Sequence, residues 1–144
     1  MKKIRQELAS GKLRKVYLVF GEEQYLKKNI KNQFIKTLTG DIDNMNCSYF
    51  EGKNISYTDV MNMCDTLPFF ADRRLVIMEN TGCVKKADDK FLDYINESMP
   101  DTTCLLIIDS EMDKRSKLYK LIKSEGYACE CAHTKEAELS KWVL

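Results

Sequence analysis

The stretch Thr66–Asn80, TLPFFADRRLVIMEN, divides into two halves of opposite character. Its second half holds Leu75, Val76, Ile77 and Met78 without a polar interruption, the pattern of a strand covered on both faces. Its first half holds Pro68, which interrupts any preceding helix and leaves Leu67, Phe69 and Phe70 in a connection. Connections face water and normally spend polar residues there, so these three need either a core to enter or a partner to bind. The residues alone leave both readings open.

Outward from this stretch, the apolar run recurs at VYLVF (16–20) and TCLLII (103–108), and shorter strand patterns stand at NCSYF (46–50) and Tyr127–Ala132. Between them the period becomes helical. Leu26, Ile30, Phe34 and Leu38 recur every fourth residue after Gly21, with Ile35 widening the stripe. Glu22 and Glu23 fall in that helix's expected first turn, where its dipole favours negative charge, and Gly40 is a stop signal. Ser56 is the expected cap of a helix carrying Val60, Met61 and Cys64, with Asp59 three residues on. Phe91, Leu92, Ile95 and Met99 share a face that must stop at Pro100. Asp113 is the expected cap of a helix bearing Leu118, Leu121 and Ile122, closed by Gly126. An amphipathic opening with Ile4, Leu8 and Leu13 precedes all of these. Alternating strands and helices predict an α/β domain with a largely parallel sheet and right-handed crossovers.

With 23 basic and 22 acidic side chains among 144 residues, no global field recruits nucleic acid or membrane. No apolar run approaches the ~20 residues that span a bilayer. Lys2 and Lys3 are not followed by a signal-peptide segment, so the chain reads as cytoplasmic. Six cysteines scattered through strands and helices read as reduced, buried thiols. The closing EAELSKWVL begins an amphipathic helix and stops, which reads as a cut at a domain boundary: residues 1–137 form one domain and 138–144 start the next.

The first strand-to-helix turn is where an α/β nucleotide-binding domain cradles phosphate, using glycines, backbone N–H groups and a lysine–hydroxyl pair. Here it reads Phe20-Gly21-Glu22-Glu23-Gln24-Tyr25, with one glycine and two carboxylates where phosphate needs positive potential. Lys27 and Lys28 fall a turn into the helix, too late to substitute. Asp109 ends a strand like a magnesium-holding acid, but Ser110 follows instead of a catalytic acid, so Asp109 reads as a cap or turn residue. His133, the only histidine, belongs to no triad. Cys129 and Cys131 share one face of a strand but lack the second pair that zinc requires. Lys114, Lys117, Lys120 and Lys123 form a basic stripe on the last helix, which reads as a solvated face. Arg73 and Arg74 flank the buried strand and are expected to bond neighbouring loops. Neither a cofactor nor a metal is expected.

Together these segments resemble the delta-subunit family of the bacterial DNA polymerase III clamp loader, specifically its N-terminal domain. The resemblance rests on VYLVFGEEQYL (16–26), LPFFADRRLVIMEN (67–80), TTCLLIID (102–109) with DKRSKLYK (113–120), and ELSKWV (138–143). It implies a three-layer fold of the AAA+ type, P-loop NTPase-like, with a five-stranded, mainly parallel sheet and a degenerate nucleotide site. It implies the first domain of a three-domain subunit, itself non-catalytic within a DNA-directed DNA polymerase holoenzyme. In that family delta binds the ring-shaped sliding clamp (the beta subunit) and opens one interface for loading onto primed DNA. The family's hydrophobic tip falls on Phe69 and Phe70, with Leu67 beside them. Other clamp-loader subunits are implied as partners through further domains, and the isolated fragment is expected to be a monomer. Against this stand an active P-loop-like NTPase with an atypical phosphate site, disfavoured by Glu22 and Glu23, and a metal or thiol enzyme built on Cys129 and Cys131.

Overall fold

The computed structural model describes residues 2–39, 46–69, 73–82 and 88–131. The elements follow as α1 (Lys2–Ser10), β1 (Val16–Phe20), α2 (Gln24–Leu38), β2 (Cys47–Glu51), α3 (Tyr57–Asp65), β3 (Arg74–Glu79), α4 (Asp89–Asp93, continued by a wide π turn over Tyr94–Ser98), β4 (Thr103–Asp109), α5 (Lys117–Glu125) and β5 (Tyr127–Glu130). Every strand-to-strand pairing is parallel, in the order β2-β3-β4-β1-β5. The sheet is therefore parallel throughout, where the sequence predicted it only in the main.

The apolar runs became the three central strands because only there are both faces covered. Val16 to Phe20, Leu75 to Met78 and Thr103 to Asp109 are all buried. Alternate residues serve opposite cores. Val16, Leu18, Val76, Met78, Leu105 and Ile107 pack beneath α3, α4 and α5. Tyr17, Val19, Leu75, Ile77, Leu106 and Ile108 pack beneath α1 and α2. This is a three-layer α/β sandwich. The edge strands β2 and β5 are only partly buried, and their sequences are correspondingly less apolar.

Several local expectations shift. Helix α2 starts at Gln24, so Glu23 is its cap, with its carboxylate accepting the Tyr25 N–H at 3.1 Å, and Glu22 lies outside the helix. Helix α5 is capped by Ser116, whose hydroxyl accepts the Tyr119 N–H; Asp113 instead holds the preceding turn by accepting the Arg115 N–H. Lys114 therefore stands before the helix rather than on its basic stripe, and pairs with Glu130 at 3.4 Å. Met99 N–H reaches back to the Tyr94 carbonyl, and this wide turn at the end of α4 has no signature in the sequence. Gly40, His133, Leu139 and Trp142 lie outside the described residues, as do Ala132 at the end of the last strand and the proposed boundary at 137–138. Among the described residues no helix is long and apolar enough to cross a membrane.

Chain direction fixes where a ligand would sit. From β1 the chain leaves through α2 on one face, and from β4 it leaves through α5 on the other. In open parallel sheets the crevice beyond two such neighbouring strands is the usual binding position. Here it lies past Phe20 and Asp109.

Candidate functional site

The crevice is closed by backbone. Only Gly21, Glu22 and Glu23 separate β1 from α2, too short a loop to wrap a phosphate group. Gly21 N–H donates to the Asp109 carbonyl at 3.2 Å, and Glu23 N–H donates to the Cys131 carbonyl at 2.9 Å. Cys131 N–H in turn donates to the Phe20 carbonyl at 2.6 Å. Two of the donors that would converge on a phosphate, the Gly21 and Glu23 N–H groups, are thus committed to the chain itself. Gly21 has φ +125°, and a Cβ there would meet the Cys131 carbonyl oxygen at 2.4 Å, so the turn closes only around glycine.

A cleft of about 410 Å³ remains outside this turn, with Glu22, Glu111 and Glu130 facing Lys114 around it. Its potential opposes a polyphosphate. Asp109 carries no exposed acid into the cleft: it is buried, and its carboxylate accepts the Ser110 N–H at 2.8 Å. The turn-residue reading of Asp109 accordingly holds.

Lys27 departs from expectation. It is 4% exposed, and its ammonium lies 3.4 Å from the Asp109 carbonyl, directly behind the turn. Counting from Gly21 gives the signal: Lys27 occupies the lysine position of G-x-x-x-x-G-K-[ST], with Leu26 where the second glycine would be and Lys28 where the hydroxyl would be. The early start of α2 wraps that position into helix.

Among the described cysteines, Cys64, Cys104, Cys129 and Cys131 are buried and Cys47 is half-buried, each outside any disulfide. Burial pushes the Cys64 and Cys104 thiols up to about 12, so both stay protonated at neutral pH. The hydrogen bond between Cys129 and Cys131 draws the former's pKa down and the latter's up. No group of three or more metal-ligating side chains occurs among the described residues.

The other candidate lies at the opposite end of the sheet, between α3 and β3. Helix α3 ends firmly. Thr66 hydroxyl donates to the Asn62 carbonyl at 3.0 Å, Arg74 Nε donates to the Met63 carbonyl at 2.8 Å, and the Thr103 hydroxyl donates to the Cys64 carbonyl. These bonds satisfy carbonyls that a helix C-terminus leaves open. Beyond them the chain turns outward: Leu67 is 69% exposed and Phe69 is 54% exposed. Neither enters the core, so the first of the two alternatives falls away for both. Phe70 lies outside the described residues.

The backbone under Phe69 is fixed although the residue is 54% exposed. Asn46, immediately before β2 and 4% exposed, accepts the Phe69 N–H through Oδ1 at 2.6 Å and donates from Nδ2 to the Phe69 carbonyl at 2.8 Å. The Asn46 carbonyl accepts the Leu75 N–H at 2.8 Å, continuing the β2–β3 pairing. Sequence reading passed over Asn46, treating it only as the first residue of a strand. Of the arginine doublet, Arg73 bonds the Asp101 carbonyl in the turn before β4, as expected of a loop-binding residue, whereas Arg74 is buried and bonds the end of α3 at Met63 and strand β2 at Ser48 rather than a loop.

The fold and this closed turn define a three-layer α/β domain with a five-stranded parallel sheet, whose first strand-to-helix turn is filled by its own main chain. The chain belongs to the family described as DNA polymerase III, delta subunit, whose sequence model matches residues 17–132. The DNA polymerase III subunit delta of Bacillus subtilis is 26% identical over 150 residues, spanning 96% of this chain and 43% of that protein. Among solved structures, the Bacillus subtilis DNA clamp loader delta protein (YqeN) superposes with a TM-score of 0.81 at 23% identity, over 98% of this chain and 45% of that one. A DNA polymerase III gamma subunit-related protein of Thermotoga maritima follows at TM-score 0.61 and 16% identity, over 92% of this chain and 47% of that one. Thermotoga maritima RuvB follows at 0.55 and 11%, over 96% of this chain and 44% of that one. The chain spans less than half the length of each of these relatives.

Proposed function

We propose that this chain is the clamp-engaging domain of a clamp-loader delta subunit in DNA replication. It binds the sliding clamp through Leu67, Phe69 and Phe70 and helps open one interface of the ring for loading onto primed DNA. The observation that carries this reading is the exposed pair Leu67 and Phe69, raised on a loop whose backbone is pinned at both flanks. An exposed ring on a fixed backbone suits insertion into an apolar pocket, because little conformational freedom is lost on binding.

The domain neither binds nor hydrolyses ATP; the committed N–H groups of Gly21 and Glu23 and the acidic cleft beside them support this part. Residues 1–137 form the domain and 138–144 begin the next, through which other clamp-loader subunits are engaged. The isolated domain is a cytoplasmic monomer.

Two measurements test the proposal. On a sizing column the chain co-elutes with the sliding clamp of its own organism; separate elution at concentrations well above micromolar contradicts clamp binding. In a thermal-shift experiment Mg-ATP leaves the melting temperature unchanged. Binding confined to the folded state would stabilise it by about 2.7 kcal/mol at a hundredfold excess over Kd, so a saturable shift overturns the non-nucleotide reading.

A further inference from the structure

We infer that Asn46 is the positioning residue of the exposed tip: its buried side-chain amide holds the main chain of Phe69 in the conformation that meets the partner. The inference rests on the proposed clamp contact and adds to it a buried residue behind that contact. Three observations carry it. Asn46 and Phe69 are 23 residues apart, so the contact is tertiary and not a by-product of local turn geometry. The amide meets both polar groups of one residue, accepting from its N–H at 2.6 Å and donating to its carbonyl at 2.8 Å, as a neighbouring strand would. Finally, Asn46 is anchored by its own main chain, which bonds the Leu75 N–H, so the tip is referred to the central sheet through one buried side chain.

The residue type follows from this geometry. Both a donor and an acceptor are needed, which an amide supplies and a carboxylate does not. Asp at this position would keep the acceptor for the Phe69 N–H but set an oxygen against the Phe69 carbonyl. Leu would match the volume and lose both bonds. Without the amide, the segment beyond Pro68 samples conformations in which the Phe69 ring faces elsewhere, and binding must select one of them.

The test is a double-mutant cycle in the full chain, with clamp affinity measured per folded molecule and the folded fraction taken from urea unfolding. Asn46→Ala is expected to weaken binding of the parent about tenfold and to change the affinity of a Phe69→Ala background by less than about twofold, because its two bonds to the Phe69 main chain serve binding by orienting the Phe69 ring. Hydrogen exchange of the Phe69 amide should accelerate at least tenfold in Asn46→Ala, with that of Val76 and Leu106 unchanged after correction for global stability. Asn46→Asp should bind no better than Asn46→Ala. If Phe69→Ala loses affinity and Asn46→Ala does not, or if Asn46→Ala costs the same factor in both backgrounds, the positioning role is overturned while the clamp contact stands. If Phe69→Ala itself leaves affinity unchanged, the clamp reading fails and takes this inference with it.

Discussion

The carbonyl oxygen of Cys131 occupies the space that a side chain on Gly21 would need, 2.4 Å from where its Cβ would be. The same carbonyl accepts the Glu23 N–H, so one peptide group both fills the first strand-to-helix turn and fixes the start of α2. The turn is a structural joint between β1, α2 and the end of β5.

Gly21→Ala should therefore damage the fold. It combines a positive φ with a collision against backbone that cannot rotate away, and the expected loss is at least about 2 kcal/mol. Gly52→Ala is the control: φ is +90°, but nothing lies within 4 Å of the added carbon, so only about 1–2 kcal/mol of backbone strain applies. Urea midpoints of both variants check the ordering. Equal losses would mean that the approach of Cys131 contributes nothing.

The arginine doublet separates two residues that a sequence cannot tell apart. Arg74 is 3% exposed and donates to the Met63 carbonyl at 2.8 Å and to the Ser48 hydroxyl at 2.6 Å. Arg74→Met should cost about 2–3 kcal/mol, since buried acceptors lose their donor. Arg74→Lys should not restore it, because a single ammonium lacks the fork that spans two partners. Arg73→Met, which gives up one exposed bond to Asp101, should stay within about 1 kcal/mol of the parent. Urea unfolding of the three variants reads the contrast.

Glu79 gives the fold an acid-sensitive contact. Burial raises its pKa, but hydrogen bonds from Tyr49 and Lys31 and the charges of Lys31 and Lys27 outweigh burial and hold it below its ordinary value of 4.5. The folded state thus binds this proton less readily than the unfolded chain. The resulting stabilisation is complete above 4.5 and is lost as pH falls through the depressed folded value. The stability gap between the parent and Glu79→Gln should be constant near neutrality and should narrow below pH 4.5. A gap that stays constant into acid would show that the carboxylate's charge is irrelevant to folding.

The layered fold was legible because periodicity reports burial directly. Continuous runs such as Val16–Phe20 and Leu75–Met78 can be covered only by helices on both faces, and the helices between them carry one-sided stripes. Strand order was not legible, since each central strand reads alike and the pairing of β1 with β4 depends on contacts far apart in sequence. Caps were read less well than stripes. Asp113 and Ser116 are both good cap residues three positions apart, and the choice of Ser116 leaves Leu118 and Ile122 pointing inward. At the tip, exposed apolar residues beside Pro68 were visible as a puzzle, whereas the amide of Asn46 beneath them was not. A polar residue before a strand gives no local sign that it bonds a segment 23 residues away.

Phe69 and Phe70 carry the last prediction. Pro68 fixes one backbone dihedral ahead of them, and the Asn46 amide fixes the peptide groups of Phe69. The Phe69 ring is 54% exposed, so much of its surface remains to be buried by a partner. Fully burying a phenylalanine contributes about 1.5–3 kcal/mol, and aromatic anchors at interfaces cost about 2 kcal/mol or more when truncated. On the proposed assignment of both residues as clamp anchors, Phe69→Ala combined with Phe70→Ala is expected to weaken clamp binding by at least about two orders of magnitude, at about 1.4 kcal/mol per factor of ten. Phe69→Ala alone should lower folding stability by no more than about 1 kcal/mol, because its exposed ring has little burial to lose. A ring packed in the core would behave in the opposite way, costing about 3–5 kcal/mol of stability on truncation, with any loss of binding secondary to unfolding. Urea midpoint and clamp affinity measured on the same samples distinguish the two cases, and unchanged affinity per folded molecule in the double variant would remove the tip from the interface.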